Sequence, residues 1–376
     1  MKKKPKLLLL ITEDWYFWSH RLPLARAALA AGYEVVLATH VDRHGDLIRA
    51  EGIKLVALGL RRGGRSPWGE ALSILELIRL YRKERPDIAH HVAFKPIFYG
   101  SLAASAARTP AIVNAFAGLG FSFLARGFSG AALRRVLALA ASLCLRRRSM
   151  KAIFQNADDA QAAVSAGLVR VEDFTIIRGS GVDLDLFSPK PEPKGEPVVI
   201  LASRLLWDKG VGEFVAAARR LRRENTPARF ALVGDADFDN PAAVPKEKLE
   251  RWELEGDVEL WGRREDMPET MSGAHVVCLP SYREGMPKVL LEAAASARAV
   301  VAADVPGCRD AVKDGETGVL VPARDDAALA KALARLISDA DLRARMGRAG
   351  RKLAEAEFGQ DKIVEQTLAL YAELLK

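Results

Sequence analysis

The sequence predicts two α/β domains in one chain, each built on a mostly parallel β-sheet with helices on both faces. Short apolar runs rich in β-branched residues alternate with helical stretches along most of the chain, which is the pattern of doubly wound folds. A polar, proline-rich stretch interrupts this alternation near residue 190, and the alternation then starts again. The 376 residues are enough for two domains that each bury a full core.

The first half carries a series of strand candidates with helical stretches between them. The first candidate contains a continuous apolar run from Leu7 to Ile11, as expected of a strand that is buried on both faces. Helices that fill the gaps between strands imply parallel strands joined by crossover connections. The strand candidates are residues 6–12, 33–40, 54–60, 88–92, 111–116, 151–155 and 174–178, and the helix candidates are about residues 20–31, 67–85, 96–107, 129–146 and 157–166.

Residues 188–197 are predicted to be a linker, because they contain four prolines in a polar context. Further strand candidates follow at residues 198–202, 229–233, 258–261, 275–279, 299–302 and 318–321, and an amphipathic helix follows at about residues 361–375. We therefore expect an N-terminal domain at 1–187, a C-terminal domain at 188–360 and a final helix at 361–376. Two doubly wound domains place a cleft between the carboxyl ends of their sheets.

Positive charge is concentrated in the first half of the chain. The formal net charge is +8, but residues 1–190 hold 28 basic and 16 acidic side chains, whereas residues 191–376 hold 28 and 32. No Asp or Glu occurs from Ile88 to Ala157, a stretch with nine Lys and Arg. This distribution predicts an anionic partner for the first domain, and nucleic acid, phospholipid and a lipid diphosphate are the candidates.

Nothing in the sequence predicts secretion or a membrane span. The three lysines after Met1 precede an apolar run, but this run is too short for a secretory signal and leads into Thr12-Glu13-Asp14 without a cleavage pattern. No apolar stretch reaches the roughly eighteen residues that a spanning helix needs. Cys144, Cys278 and Cys308 have no paired spacing, so we expect reduced thiols in a cytosolic setting.

Residues 280–295 are predicted to be a ligand-binding loop and helix that follow a buried parallel strand. Pro287 stands where the helix would begin. Gly285 lets the backbone approach a ligand closely, and the free N–H groups of the first helical turn favour an anion such as a diphosphate. Glu292 lies on a mostly apolar helix, so its carboxylate needs a partner. That partner is either a bound sugar hydroxyl or Lys288, four residues earlier, in an ordinary ion pair.

Arg204 and Lys209 form a second candidate element, in the loop after the first strand of the second domain. Two cations five residues apart at the carboxyl end of a strand can converge on a diphosphate, Arg204 in fork geometry and Lys209 as a point charge. The alternative is a solvated loop without a ligand.

The pattern Glu284-x7-Glu292, after a strand and with a Gly-x-Pro turn, resembles the donor-site signature of the family-4 retaining glycosyltransferases. Arg204-x4-Lys209 resembles the cation pair with which that family stabilises the leaving nucleoside diphosphate. The resemblance covers the second domain and, more loosely, the first. It implies the GT-B fold, in which two Rossmann-like domains face each other across a cleft and the C-terminal helix crosses back to the first domain.

The resemblance also implies roles for the residues of the donor site. Glu284 would meet the donor sugar, and Arg204 and Lys209 would neutralise the charge that develops on the departing diphosphate; these three are the expected catalytic residues. The expected donor-binding residues are Gly285, Met286, Pro287 and Lys288 in the loop and turn at the diphosphate, Glu292 at the ribose, and Gly262 and Arg263 at the nucleotide base.

The loop after the first strand, residues 13–21, departs from many members of the family. It lacks the glycine pair that many members use against the donor phosphate, and it is rich in aromatic residues. These rings either face a sugar or lipid or pack at the domain interface. His20 and Arg21 are expected near the start of the first helix, where a polar pair can cap the helix or contact an acceptor.

The blocks at 90–104 and 114–123 resemble a bacterial subgroup that extends undecaprenyl-diphosphate-linked sugars, including the N-acetylgalactosaminyltransferases of bacterial N-glycan assembly. A lone histidine on a strand is often a satisfied core residue, and this alternative stays open for His91. Lys95 is the expected contact to the acceptor phosphate. The expected acceptor-binding residues are His20, His91, Lys95, Asn114 and Gly118.

Asp183-Leu184-Asp185 could suggest a metal-binding Asp-x-Asp motif. It lies beside the predicted hinge, in a Gly-Val-Asp-x-x-x-Phe run that resembles the family's interdomain segment, and the nearby cations supply the charge that a metal would. The His and Cys residues have no zinc spacing. We therefore expect no catalytic metal, and no cofactor besides the nucleotide-sugar substrate.

The function implied by the resemblance is retaining transfer of a hexose or N-acetylhexosamine from a nucleotide sugar, UDP-linked, to an undecaprenyl-diphosphate-linked saccharide in glycan assembly. The alternatives are a nucleotide-sugar epimerase of the same fold and a glycosyltransferase with a soluble acceptor. A retaining hydrolase would need its two carboxylates about 5 Å apart across a sugar, which one loop and one helix residue beside phosphate-binding cations do not favour. No nucleic-acid partner is expected, because no aromatic-basic nucleic-acid module is present.

The segment from Phe121 to Lys151 predicts contact with an anionic membrane surface. It combines an apolar helix face with basic ends, which is typical of helices that lie in the headgroup region. The alternative is a core helix with a solvated basic edge. We expect a cytoplasmic enzyme that lies peripherally on the inner face of the cytoplasmic membrane.

Overall fold

A computed structural model describes residues 4–60, 67–118, 149–237 and 240–376. The chain divides into two compact units. Unit 1 contains residues 1–180 and 363–376, and unit 2 contains residues 181–362. The division therefore falls between residues 180 and 181, earlier than the expected boundary between 187 and 188.

Unit 1 is built on a parallel sheet with the strand order β3-β2-β1-β4-β5-β6-β7. The order runs outward from β1 in both directions, which is the doubly wound arrangement. The strands are β1 (Lys6–Glu13), β2 (Glu34–His40), β3 (Lys54–Ala57), β4 (Ile88–Val92), β5 (Ala111–Phe116), β6 (Met150–Phe154) and β7 (Phe174–Ile176). The helices are α1 (Asp14–His20), α2 (Leu22–Ala30), α3 (Gly45–Ala50), α4 (Pro67–Glu84), α5 (Phe94–Ala106) and α6 (Ala157–Ser165). The helix expected at about 129–146 lies outside the described residues.

The aromatic segment after β1 is a helix, so the expectation of a loop at 13–21 is wrong. α1 begins at Asp14, whose buried carboxylate accepts the backbone N–H groups of three consecutive residues, 42–44, at 2.8 to 3.0 Å. A carboxylate in the first turn also interacts favourably with the helix dipole, and Phe17 buries the inner face of the helix. His20 consequently ends α1, and Arg21 alone separates α1 from α2.

Unit 2 is built on a parallel sheet with the order β10-β9-β8-β11-β12-β13. Its strands are β8 (Val198–Ala202), β9 (Arg229–Val233), β10 (Glu259–Gly262), β11 (Val276–Leu279), β12 (Ala299–Ala303) and β13 (Gly318–Val321). Its helices are α7 (Val211–Arg223), α8 (Lys246–Leu254), α9 (Met267–Ser272), α10 (Lys288–Ala295), α11 (Cys308–Ala311), α12 (Asp326–Ser338) and α13 (Ala340–Leu353), with a 3₁₀ turn at Trp207–Lys209 and a π turn at Ala354–Phe358.

The central strands of both sheets are buried on both faces, which explains their continuous apolar runs. Alternate residues of β8 enter different apolar clusters: Val199 and Leu201 face one, and Ile200 and Ala202 face the other. Side chains alternate along a strand, so a strand between two helical layers must be apolar throughout. The structure thus confirms two doubly wound α/β domains. Among the described residues, no helix is both long and apolar enough to cross a membrane.

The proline-rich segment at 188–197, which was predicted to be a linker, is attached to unit 2 by hydrogen bonds. Three polar side chains of unit 2 hold three successive residues of the segment. They are Arg298, which donates to the carbonyl of Pro191 (3.3 Å), Arg343, which donates to the carboxylate of Glu192 (2.8 Å), and His275, whose Nε2 donates to the carbonyl of Pro193 (3.0 Å). Composition recognises a stretch without regular structure but not the side chains that bind it.

The last helix, α14 (Gln360–Leu374), belongs to unit 1 from Ile363 onward. Ile363, Leu370 and Tyr371 join the apolar cluster that contains Leu7 and Leu9 of β1. The apolar face of this amphipathic helix is therefore part of the core of unit 1.

Candidate active site

The candidate donor-site residues follow neighbouring strands at the carboxyl edge of the unit 2 sheet. β8 and β11 are paired, and the sheet continues from them in opposite directions. Their carboxyl ends therefore form a topological switch point, where ligands of α/β sheets bind. Arg204 and Lys209 follow β8, and Glu284 follows β11.

Lys209 and Glu284 form an ion pair at this switch point. Lys209 Nζ lies 2.5 Å from Glu284 Oε1, and the two side chains are only 15% and 11% exposed. Charges removed from water to this extent need a partner, and each provides it for the other. The structure thus brings together the cation and the carboxylate that the sequence assigned to catalysis.

Backbone contacts between the two loops fix this ion pair. The N–H of Tyr282 donates to the carbonyl of Asp208 at 2.8 Å, and the hydroxyl of Ser281 donates to the same carbonyl at 3.1 Å. Gly210 has a φ of +75°, and a Cβ there would lie 2.2 Å from the carbonyl oxygen of Pro280. The loops approach this closely only because residue 210 has no side chain.

Arg204 makes its ion pair with a different carboxylate. Its Nη1 lies 2.6 Å from Asp237 Oδ2, and both side chains are about one-third exposed. Among the described residues, no hydrogen bond or ion pair joins Arg204 to Lys209 or Glu284. A partly exposed ion pair is weakened by solvent, so Arg204 can exchange Asp237 for another anion at small cost.

The segment that begins at Gly307 packs directly against the loop that carries Glu284. Gly307 has a φ of +80°, and a Cβ there would lie 2.4 Å from the carbonyl oxygen of Gly285 and 2.7 Å from that of Glu284. Burial raises the pKa of the neighbouring Cys308 thiol, and the charge of Glu284 raises it further, against the opposing charge of Lys209. Gly307 therefore supports the backbone at Glu284.

Glu292 is paired with Lys288, but the pair differs from an ordinary surface pair. Lys288 Nζ lies 3.2 Å from Glu292 Oε1, and Glu292 is 6% exposed. Burial raises the pKa of Glu292, and the charge of Lys288 opposes this shift. Glu292 is thus both the buried carboxylate and the ion-pair partner of Lys288 that the sequence led us to expect.

The remaining donor-site candidates lie on the same edge of the sheet. Met286 is buried, and Pro287 is the residue immediately before α10, which begins at Lys288. Gly262 ends β10 with a φ of +62°, and its carbonyl accepts the N–H of Gly234 at 2.8 Å. Arg263, the next residue, is exposed.

Two of the predicted acceptor contacts, His91 and Asn114, are core residues of unit 1. Both are fully buried, and His91 Nδ1 donates to Asn114 Oδ1 at 2.7 Å while its Nε2 accepts from the hydroxyl of Tyr81 at 2.9 Å. Burial lowers the pKa of His91 to about 4, and the bond to Asn114 opposes this shift. This is the geometry of the satisfied core histidine, so the side chains of His91 and Asn114 do not present an acceptor-binding surface.

The other acceptor candidates lie nearer to the surface of unit 1. Lys95 is in the first turn of α5 and pairs with Glu70 of α4 at 2.8 Å. His20 stacks on Tyr16, with ring centroids 4.3 Å apart. Gly118 has a φ of +76° and is the last described residue before position 149.

Tyr282 is a site residue whose role the sequence did not reveal. Its hydroxyl donates to Glu213 Oε1 at 2.6 Å, and its ring lies under Arg324, whose guanidinium carbon is 4.4 Å from the ring centre. These contacts anchor the loop that carries Glu284 to α7 and to the segment after β13. The partners are distant in sequence, and no spacing pattern connects them.

Asp183, the first acidic residue of the Asp-x-Asp motif, forms a turn. Its Oδ1 accepts the N–H groups of Asp185 and Leu186 at 3.0 and 2.9 Å. In the part of the chain that the structure describes, no three His, Cys, Asp or Glu side chains lie close enough together to hold a metal ion.

Comparison with known proteins gives a family for each half of the chain. The model of the Glycosyl transferase 4-like family matches residues 6–149, and that of Glycosyl transferases group 1 matches residues 184–353. The second match contains the loops of Arg204, Lys209 and Glu284.

Two curated relatives align along most of this chain. An N,N'-diacetylbacillosaminyl-diphospho-undecaprenol alpha-1,3-N-acetylgalactosaminyltransferase of Campylobacter jejuni is 27% identical over 369 residues, which are 95% of each protein. A UDP-Gal:alpha-D-GlcNAc-diphosphoundecaprenol alpha-1,3-galactosyltransferase of Escherichia coli is 26% identical over 317 residues, 81% of this chain and 79% of the relative.

A solved structure has the same fold. The Anabaena protein HepE, in complex with UDP and glucose, superposes with a TM-score of 0.80 at 21% identity, over 98% of this chain and 99% of HepE. The expected resemblance and the expected two-domain fold are thus confirmed. The chain belongs to the glycosyltransferases: its first half matches the Glycosyl transferase 4-like family, and its second half matches Glycosyl transferases group 1.

Proposed function

We propose that this glycosyltransferase moves a hexose or N-acetylhexosamine from a UDP-sugar to an undecaprenyl-diphosphate-linked saccharide, with retention of the anomeric configuration. The observation that carries the proposal is the Lys209–Glu284 pair at the switch point of unit 2. The acceptor class is supported by the names of the Campylobacter jejuni and Escherichia coli relatives, which both contain a diphosphate-linked undecaprenol. The second name also contains a UDP-sugar.

The proposed reaction takes place on one face of the donor sugar. The bond between the anomeric carbon and the diphosphate oxygen breaks, and the acceptor hydroxyl oxygen bonds to the same face of that carbon. The hydroxyl proton passes to an oxygen of the leaving phosphate. Lys209 and Arg204 stabilise the negative charge that grows on this phosphate, and Glu284 orients the sugar without forming a covalent bond.

The proposed donor site uses the rest of the same edge of the sheet. Backbone amides at Gly285 and Met286 and the start of α10 face the diphosphate. Glu292 accepts hydrogen bonds from the ribose hydroxyls, for which a buried carboxylate held by Lys288 is suited. Gly262 and Arg263 hold the nucleotide base through their backbone. We propose that no metal ion takes part, because these cations and amides supply the positive charge.

We propose that unit 1 supplies the acceptor site. His20, Lys95 and Gly118 remain candidates, since none of them lies in the core. Lys95 can exchange its Glu70 partner for a phosphate, because both side chains of that pair are about one-fifth exposed. His91 and Asn114 support this surface only from within the core.

We further propose that the enzyme is cytoplasmic and docks on the anionic inner face of the cytoplasmic membrane. The basic and apolar residues that motivate this proposal, from Phe121 to Arg148, lie outside the described residues, and the proposal rests on their sequence. Co-sedimentation with anionic liposomes should fall as salt rises and when Arg146, Arg147 and Arg148 are all changed to Ser. Equal binding to neutral and anionic vesicles would contradict the proposal.

The function is tested by incubating the purified enzyme with single nucleotide sugars and a short-chain polyprenyl-diphosphate saccharide, followed by mass spectrometry of the products. We expect one added hexose or N-acetylhexosamine from a UDP-sugar. Glu284→Gln should abolish transfer, whereas Glu247→Gln, an exposed carboxylate of α8, should not. Donor turnover without an acceptor would indicate an epimerase, and transfer to the free saccharide alone would indicate a soluble acceptor.

A further inference from the structure

Arg21 is a buried cation that has no anionic partner among the described residues. It lies between α1 and α2 and is 6% exposed. Its backbone is bonded, since the N–H donates to Phe17 and the carbonyl accepts from Ala25. Its side chain makes no hydrogen bond or ion pair with any residue of the described ranges, and its Nε is enclosed. A buried charge without a counter-charge is costly, so its presence requires an explanation.

The other two buried arginines of the described residues, Arg298 and Arg343, each donate several hydrogen bonds. Arg298 donates to the carbonyls of Met271 and Ser272 at 3.0 and 2.9 Å. Arg343 donates to the carboxylate of Glu192 and to two carbonyls at the end of α12. The side chain of Arg21 therefore differs from those of the other two buried arginines that the structure describes.

The surroundings of Arg21 contain a neutral pair rather than a carboxylate. His90 Nδ1 is hydrogen bonded to the hydroxyl of Tyr371, and both side chains are fully buried. Burial lowers the pKa of His90, and the nearby charge of Arg21 lowers it further. Burial raises the pKa of Tyr371, so its phenol stays protonated and can donate to Nδ1. His90 Nε2 then carries the ring hydrogen, and this enclosed atom also has no partner.

Arg21 and His90 therefore present donors and a positive charge that no acceptor among the described residues of unit 1 satisfies. The start of α2 adds to this excess, because the helix has nine residues and its N-cap residue, Arg21 itself, makes no side-chain cap. Helix N-termini and guanidinium groups both favour phosphoryl oxygens. We infer that Arg21 binds a phosphoryl group of a substrate diphosphate.

This inference rests on the proposed function only because that function implies substrates with a diphosphate group. The proposed donor and the proposed acceptor both contain a diphosphate, and a guanidinium group would bind either one in the same way. Binding of inorganic pyrophosphate tests the site without turnover, so its result is independent of whether glycosyl transfer is observed.

The first experiment uses the Arg204→Ala protein as the parent, because this change weakens the donor diphosphate site. Arg21→Met is added to that parent, and the two proteins are compared by thermal shift and calorimetry. Without pyrophosphate, Arg21→Met should leave the melting temperature unchanged or raise it, because it removes an unpaired buried charge. Its affinity for pyrophosphate should fall at least tenfold. The control is Arg26→Met. Arg26 is an exposed residue of α2 that pairs with Glu51, and its replacement should leave pyrophosphate binding unchanged.

The second experiment assigns the diphosphate to its source. If Arg21 binds the diphosphate of the acceptor, Arg21→Met should raise the KM for the acceptor at least tenfold with little change in the KM for the donor. If Arg21 binds the diphosphate of the donor, the KM for the donor should rise instead, with little change in the KM for the acceptor. Arg21→Lys should restore part of the loss, because it keeps the charge but not the fork. The inference is overturned if Arg21→Met leaves the affinity for pyrophosphate unchanged, whatever its melting temperature, or if pyrophosphate does not bind the Arg204→Ala protein.

Discussion

Gly210→Ala tests whether the close approach of two backbones sets the catalytic geometry. The new Cβ would stand 2.2 Å from the carbonyl oxygen of Pro280, so the loops must separate by roughly 1 Å to reach an ordinary contact. This movement acts directly on the Lys209–Glu284 pair, because Lys209 is the preceding residue. A misplacement of about 1 Å at a reacting centre can cost on the order of a hundredfold in rate, and we expect a fall in kcat of that size.

The matched control is Gly315→Ala in the same unit. Gly315 has a φ of +73°, almost that of Gly210, but nothing lies within 4 Å of its Cβ position. Both variants place an alanine in the left-handed region, which costs about 1 kcal/mol, so their melting temperatures should fall by a similar amount from this cause. Only Gly210→Ala should lose activity in steady-state assays with saturating substrates. A kcat within threefold of the parent value for Gly210→Ala would refute the reasoning.

Three further predictions concern charge. Arg204→Ala and Lys209→Ala should each lower kcat by at least about a hundredfold, as for other oriented electrostatic groups, and near-normal turnover in either would remove that residue from the mechanism. Excess EDTA should leave the transfer rate unchanged, and loss of activity that Mg²⁺ restores would contradict the proposed metal-free site. The free energy of unfolding should fall as the pH drops from about 6.5 to about 4, because His91 takes up a proton near pH 6.5 when unfolded but only near pH 4 when folded. Denaturant titrations should show a shallower fall for His91→Gln, and an unaltered pH dependence would exclude His91 as a source.

Patterns within short stretches of sequence predicted the fold and the position of the donor-site candidates at one edge of the second sheet. The apolar runs of β8 and β11 are continuous because both faces are buried, and the loops after them carry Arg204, Lys209 and Glu284. The parallel arrangement then places these loops at one edge. The apolar pattern of each strand and the position of that strand in the sheet agree in this part of unit 2.

The acceptor side was predicted less well, because polarity does not reveal burial. His91 and Asn114 are polar residues on consecutive strands, which is also the pattern of a binding edge, but their partners are Tyr81 and Ser101 inside the core. Only the register of β4 against β5, which aligns His91 with Asn114, shows that the two side chains satisfy each other.

The aromatic segment after β1 gives a second example. Its helix begins with Asp14, and the backbone N–H groups that Asp14 binds come from residues 42–44, beyond the next strand. No local signal in 13–21 contains that interaction. Tyr282 and Glu213 illustrate the same limit, since 69 residues separate the two ends of their hydrogen bond.

The path of the chain through its two units determines where this enzyme can be cut and recombined with a relative. A chimera that replaces unit 1 by exchanging only a continuous N-terminal piece would keep the old α14, whose Ile363 and Tyr371 belong to the core of the unit that was removed. A junction inside the proline-rich segment would separate Glu192 from Arg343. Functional exchange of acceptor specificity between relatives therefore requires two crossovers, near residues 180 and 362, so that the final helix travels with the sheet it covers.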